Sequence, residues 1–235
     1  IVIENQSKNR GTLVKDNPVP ILYREGATTM QTHEMMNLFS GFLIGDGNIQ
    51  NGAFRGGQVY THKDYVLWQK EQLEKITSVR LTIVPEHVDS RGVVSHEFWS
   101  IVTRKTPLFE TLYDRWYFNG RKTVSIHDVR NFGWQQLATW FMDDGCAPVY
   151  TKEVRRNGNM AIASHSFSEA EHVVLQRILY ENFGLPFDVR RDGKYRHLFL
   201  KKRFSGDFYN GVKPFILPSF QYKLRTIDPN SDLRI

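Results

Sequence analysis

The sequence predicts an α+β protein built from two similar halves. Three observations predict it. A short run, Phe39-Ser40-Gly41-Phe42-Leu43-Ile44-Gly45-Asp46-Gly47, is echoed by Leu137-Ala138-Thr139-Trp140-Phe141-Met142-Asp143-Asp144-Gly145. The order helix, strands, helix, strands, helix is then legible after each copy. Each half also closes on a lysine at a nearly equal offset from its acid: Lys122 in Asn119-Gly120-Arg121-Lys122-Thr123-Val124, and Lys223 in Pro218-Ser219-Phe220-Gln221-Tyr222-Lys223-Leu224.

Residues 1–32, polar and punctuated by Gly11, Pro18, Pro20 and Gly26, read as an N-terminal extension, with the first half at 33–131 and the second at 132–235. Thr32 is the expected cap of the first motif helix. Apolar residues at 35, 38, 39, 42 and 43, and at 134, 137, 138, 141 and 142, share one helix face. Gly47 and Gly145 are expected as left-handed helix stops, which places Asp46 and Asp144 in the last helical turn. Strand-like stretches follow at 58–62, 79–84 and 98–103, with helices at 65–76 and 108–117. Asn119-Gly120-Arg121-Lys122 breaks the second of these helices.

The second half repeats this order from Asn131, the expected cap of its motif helix. A strand at 160–166 leads to a helix at 168–183, which Ser168-Glu169-Ala170-Glu171 opens as a capping box. Stretches 187–191 and 195–201 read as a hairpin around Asp192-Gly193. A helix near 204–212 and a loop with Pro214 and Pro218 complete the half.

A chain of 235 residues accommodates two halves of about 100–120 residues, each able to bury a core. The formal net charge of +6 points to a polyanionic partner, nucleic acid first. Cys146 is the only cysteine, which excludes an intrachain disulfide framework and fits an intracellular, reducing compartment. The apolar runs are far shorter than the ~20 residues that span a bilayer, so no membrane partner is expected.

The cationic residues expected to meet DNA are Arg55, Gln58 (as a polar neighbour), Lys63 and Arg104 in the first half. In the second they are Lys152, Arg155, Arg156, Arg190, Arg191, Lys194, Arg196, Lys201 and Lys202. Lys194, Arg196 and Arg190 are expected on one sheet face, with Tyr195, His197 and Phe199 on the other. Such a surface makes a groove for a duplex or an ordinary solvated face.

The small residues Ser40, Gly41, Gly45, Ala138 and Thr139 allow two helices to approach closely. Packed in parallel, they bring Asp46 and Asp144 to one end, where two carboxylates call for a bridging proton or divalent cation. Oxygen ligands beside a basic groove suit Mg²⁺ or Mn²⁺, and the combination fits phosphodiester hydrolysis. Lys122 and Lys223 then stand either as charge stabilisers near this centre or as surface lysines. Asp143 reads as a polar interface residue or a further ligand. Asp143-Asp144-Gly145 lacks the alternating oxygens of a calcium loop, the histidines and single cysteine form no zinc pattern, and no Walker glycine loop occurs.

These residues resemble the LAGLIDADG homing endonucleases in their monomeric, two-motif form. The likeness covers about residues 33–225 and runs to the yeast mitochondrial intron-encoded member through Trp140-Phe141-Met142-Asp143-Asp144-Gly145 and Tyr222-Lys223-Leu224. It implies two αββαββα halves with the motif helices at their interface and saddle-shaped antiparallel sheets across double-stranded DNA. It further implies a staggered double-strand cut with 3′ overhangs. By position, Asp46 and Asp144 are the metal-binding catalytic acids and Lys122 and Lys223 the supporting basic residues. Gly45 stands where the other half has Asp143, so the two centres are not equivalent. A second reading keeps the scaffold as an intron-RNA maturase or a non-cleaving DNA-binding protein.

Overall fold

Each half is laid out by local signals that recur in the same order. The computed structural model describes residues 29–146, 160–192, 195–225 and 227. The first half runs α1 (Thr29–Ile44), β1 (Asn48–Gln50), β2 (Ala53–Val59), α2 (Lys63–Glu74), β3 (Val79–Val84), β4 (His87–Val88), β5 (Val94–Ser95), β6 (Phe98–Thr103), α3 (Pro107–Trp116), β7 (Tyr117–Phe118) and β8 (Arg121–Lys122). After a connecting turn of helix, α4 (Ile126–Val129), come α5 (Trp134–Asp144), β9 (Gly145–Cys146), β10 (Met160–Ala163), α6 (Glu169–Phe183), β11 (Phe187–Asp192), β12 (Tyr195–Leu200) and α7 (Ser205–Val212). A 3-10 segment, Pro218–Lys223, carries the last lysine.

The duplication holds in the strand order of the two four-stranded sheets. One sheet has the order β1-β2-β6-β3 and the other β11-β12-β10-β9, which is the same arrangement read from its opposite edge. Both sheets are antiparallel throughout. Each carries helices on one face, so its other face is left outward. The small pair β4–β5 extends the β3–β6 hairpin beyond the first sheet.

Turn chemistry and caps explain the elements. Asn51 and Gly52 both have positive φ (52° and 73°), the conformation of the tight turn that joins β1 to β2. Asn119 and Gly120 repeat the device at 50° and 75°, so the expected helix breaker is the turn of the β7–β8 hairpin. Thr106 accepts the Phe109 N–H ahead of Pro107 and so starts α3. Ser168 and Glu171 form the expected capping box of α6.

The motif helices α1 and α5 pack side by side through their small residues. A side-chain carbon on Gly41 would meet Gln136, and one on Gly45 would meet Asp143, so both helices run toward the same end. Ser40 and Thr139 are fully buried in this seam and return their hydroxyls to the carbonyls of Met36 and Gln135, each at 2.8 Å. Phe39, Phe42 and Leu43 on α1 and Leu137, Trp140 and Phe141 on α5 are buried on the flanks. They join one continuous core with the inner faces of both sheets. In the connection between halves, Asp128 accepts from Arg115, Trp116 and Ser125 and lies against His127, which anchors α4 on α3.

Several expectations need correction. The first motif helix begins at Thr29, ahead of Thr32, and the second begins after Gly133, whose N–H donates to Gln136 Oε1 at 2.9 Å, so Asn131 is not its cap. Gly145 is extended (φ −72°, ψ 137°), and Gly47 is not among the positive-φ glycines. Both are glycine because a side chain would collide: at Gly47 a Cβ would sit 2.6 Å from the Phe42 carbonyl oxygen, and at Gly145 it would strike Phe141. Helix α1 stops at Ile44, so Asp46 sits in the turn just past it, whereas Asp144 is the last residue of α5.

The expected grouping of Arg190 with Arg196 is also overturned. Cross-strand register pairs Arg190 with His197 and Arg191 with Arg196, and partners share a face. Arg196 therefore lies on the helix side with buried Leu198 and Leu200, where it meets Glu169 of α6 at 3.4 Å. Arg190 lies on the outer face and stacks over Phe199, 5.0 Å from the ring centre, beside His197 and Tyr195.

Candidate active site

The parallel seam delivers Asp46 and Asp144 to one end of the molecule, each beside a lysine from the end of its own half. Lys122 Nζ donates to the carbonyls of Gly45 (2.6 Å) and Gly47 (3.0 Å). Lys223 Nζ donates to those of Phe141 (3.3 Å), Met142 (2.5 Å) and Asp143 (3.3 Å). The last carbonyls of a helix have no partner within it and carry the negative end of its dipole. Each ammonium thus closes the end of a motif helix and sets a positive charge beside an acid. Burial lowers the pKa of both lysines, and the charges of Asp46, Asp143 and Asp144 oppose that shift.

The two acids are held differently. Exposed Asp46 accepts from Gln58 Nε2 on β2 at 3.1 Å. Asp144, half-buried, accepts from Trp140 Nε1 one turn back in its own helix, also at 3.1 Å. Burial, with the charge of Asp46 nearby, raises the Asp144 carboxyl to about 6. Asp143 is half-buried, with its Oδ1 shielded from solvent, and its carboxyl lies well above the usual carboxylate range, first from burial and then from Asp46. Its Oδ2 accepts the backbone N–H of Asp46 at 3.1 Å, across the seam. The buried Tyr65 hydroxyl approaches Asp143, yet neither that hydroxyl nor Asp143 Oδ1 completes a hydrogen bond. Asp143 is therefore an interface residue that holds the turn bearing Asp46.

Among the described residues, no three His, Cys, Asp or Glu side chains are grouped to hold a metal ion. The donors at this end are two carboxylates and the backbone carbonyls that now meet ammonium groups. A magnesium-like ion needs few protein ligands, because it keeps waters and takes phosphate oxygens from its substrate. The oxygen-only donor set, already attractive to cations, fits such an ion.

The expected DNA-contacting residues separate by face. Arg55 is exposed on the outer face of the first sheet, and Arg104 is exposed just beyond β6. Lys63 opens α2 and donates to the Tyr60 hydroxyl at 2.9 Å. Lys201 pairs with Asp188 at 3.4 Å, and Lys202 is exposed. Gln58 lies on the helix side of β2 and serves Asp46, so it is not an outer-face residue. Arg191 and Arg196 share the helix side as described. Lys152, Arg155, Arg156 and Lys194 lie outside the described residues.

Sequence reasoning missed Arg80, exposed on β3 opposite Val102 and so on the same outer face as Arg55. The period-two pattern of that strand was the available signal. It also missed Tyr65 and the roles of Gln58 and Trp140, which no local pattern announces. Among the described residues, no helix is long and apolar enough to cross a membrane.

Comparison with known proteins agrees with this geometry. A model of the LAGLIDADG DNA endonuclease family matches residues 36–205. Protein RecA of Mycolicibacterium flavescens is 29% identical over 198 residues, which are 78% of this chain but only 44% of that protein. DNA endonuclease I-ChuI of Chlamydomonas applanata is 25% identical over 213 residues, covering 82% of this chain and 95% of that one. The fold matches the solved structure of the homing endonuclease I-WcaI bound to its DNA recognition sequence, with a TM-score of 0.72 and 22% identity over 84% of this chain and 88% of that one. The family model spans both repeated motifs and the elements between them, and on that match this chain belongs to the LAGLIDADG DNA endonuclease family.

Proposed function

We propose that this chain is a site-specific, divalent-metal-dependent DNA endonuclease, acting as a monomer, that cuts both strands of a long asymmetric duplex and leaves 3′ overhangs. The observation that carries the reading is the parallel helix pair: it ends in Asp46 and Asp144, with Lys122 and Lys223 bonded beside them. Two centres at one end of a two-sheet body suit two strands of one duplex.

In this reading Asp46 and Asp144 would hold the metal, with water and phosphate oxygens completing its shell. Mg²⁺ or Mn²⁺, when bound, supplies Lewis acidity and a more acidic water. Gln58 and Trp140 each fix one carboxylate oxygen and so orient the acids. Lys122 and Lys223 keep positive charge beside the position where phosphate gains negative charge. Arg55, Arg80, Arg104, Lys63, Lys201 and Lys202 are assigned to DNA phosphates. Arg190 is suited to read guanine from the outer face.

The test uses the full chain and a duplex that joins the genomic sequences flanking its gene, with and without Mg²⁺. Asp46→Asn and Asp144→Asn are expected to lose double-strand cleavage by at least ~100-fold while binding stays within a few-fold. Full cutting by both variants would remove the proposed centre. Tight binding without cleavage in Mg²⁺ or Mn²⁺ would instead favour the non-cleaving reading, and retained splicing activity on intron RNA the maturase reading.

A further inference from the structure

The two lysine-bearing tails are not secured by their own halves alone. In the first half, Val124 N–H donates to Glu171 Oε1 at 2.8 Å, and Arg121 reaches Glu171 Oε2 at 3.1 Å and the Ser166 carbonyl at 3.4 Å. Glu171 belongs to α6 in the second half. Lys122 stands between these two anchors. In the second half, Ser219 N–H donates to Asp64 Oδ2 at 3.0 Å, and Asp64 belongs to α2 in the first half. The next residue, Phe220, stacks on His62 with ring centres 4.1 Å apart and meets Tyr65 edge-on at 5.5 Å. Lys223 ends that same 3-10 segment.

The arrangement is reciprocal. Each acid sits in the first turn of a sheet-covering helix, the end that favours negative charge, and accepts a backbone N–H from the opposite half's tail. We infer that Glu171 and Asp64 are positioning residues for Lys122 and Lys223 respectively, acting crosswise between halves. This rests on the endonuclease reading above for its catalytic consequence, though not for the contacts themselves.

The amide variants isolate the crossed contact. Glu171 also accepts the Ser168 N–H that caps α6, through Oε2 at 2.7 Å. In Glu171→Gln, a single amide oxygen keeps that cap, as a capping box allows. Its NH₂ group then faces the Val124 N–H, donor against donor. Asp64 accepts the Tyr65 N–H on Oδ1 at 3.0 Å. Asp64→Asn keeps that bond and loses the acceptor for Ser219.

Two measurements test the inference. On a duplex labelled at either strand, Glu171→Gln should slow, about 10- to 100-fold, the same strand cut that Lys122→Met slows, with binding unchanged. Asp64→Asn should match Lys223→Met on the other strand. Independently of cleavage, amide hydrogen exchange should speed up at residues 121–125 in Glu171→Gln and at 217–223 in Asp64→Asn, each without change in the other segment. Equal slowing of both strands, or the strand assignments reversed, would overturn the crossed positioning. Unchanged exchange would overturn the contacts, even for a chain that cuts nothing. Loss of cleavage in the wild-type chain with the exchange pattern intact would count against the endonuclease reading alone.

Discussion

At the scale of single residues, the centre is a place where charge is held against its solvation preference. Asp144 titrates near 6 because burial and Asp46 disfavour its anion. Its folded value is raised above the unfolded one, so between roughly 4 and 6 the folded chain binds more protons than the unfolded chain. Stability then falls as pH rises through that window. In the absence of metal, the ionised acid at pH 8 should cost on the order of 2–3 kcal/mol relative to pH 4. Asp144→Asn, which cannot ionise, should flatten that part of the pH dependence. Urea midpoints of the two proteins at pH 5 and pH 8 in a chelator measure the difference; equal slopes would contradict the raised acid.

At the scale of elements, the seam between α1 and α5 is specified by what fits opposite what. Gly45 faces Asp143 so closely that any side chain would strike it. Gly45→Ala should therefore cost about 1–3 kcal/mol, and the cost should shrink in an Asp143→Gly background if the collision is its source. Chemical unfolding of the four proteins gives the coupling directly. The elements themselves were unequally legible. Helix α6 was readable to its cap, because Ser168 and Glu171 act within one turn, and β3 and β6 were readable to the residue through their β-branched runs. The strand β1 escaped, though Asn51-Gly52 was the cue for its turn; three residues carry too little pattern to register. The motif acids and lysines were visible because duplication doubles a weak signal. The facing of Arg190 and Arg196 was not, since a strand's phase depends on which residues its partner buries. The reason for Gly47 and Gly145 was likewise hidden, being steric contact with Phe42 and Phe141 and not a backbone turn.

At the scale of the whole molecule, two sheets of identical strand order each leave one face outward, and the endonuclease reading assigns those faces to a duplex. The division of arginines by face predicts how binding responds to salt. Arg190→Ala should weaken DNA binding and reduce the slope of log affinity against log salt by about 1 if it meets phosphate, or weaken binding at one or two base pairs only if it reads guanine. Arg196→Ala, on the helix side with Glu169, should do neither. Titrations from ~50 to ~200 mM salt decide between them, and a salt-slope change at Arg196 equal to that at Arg190 would place the duplex on the wrong face.

The unequal tethering of the two acids reaches further than their chemistry. Trp140 ties Asp144 to its own helix, whereas Gln58 ties Asp46 to β2, a strand whose other face looks outward. On the endonuclease reading, a poorly matched sequence under the first sheet is expected to reach Asp46 through β2 and Gln58, whereas a poor match under the second sheet has no such hydrogen bond to Asp144. On that reading, errors in one half of the target are expected to surface as a single broken strand, and errors in the other as weaker attachment. If the chain cuts as proposed, discrimination between targets falls to the half whose acid is tied to its sheet.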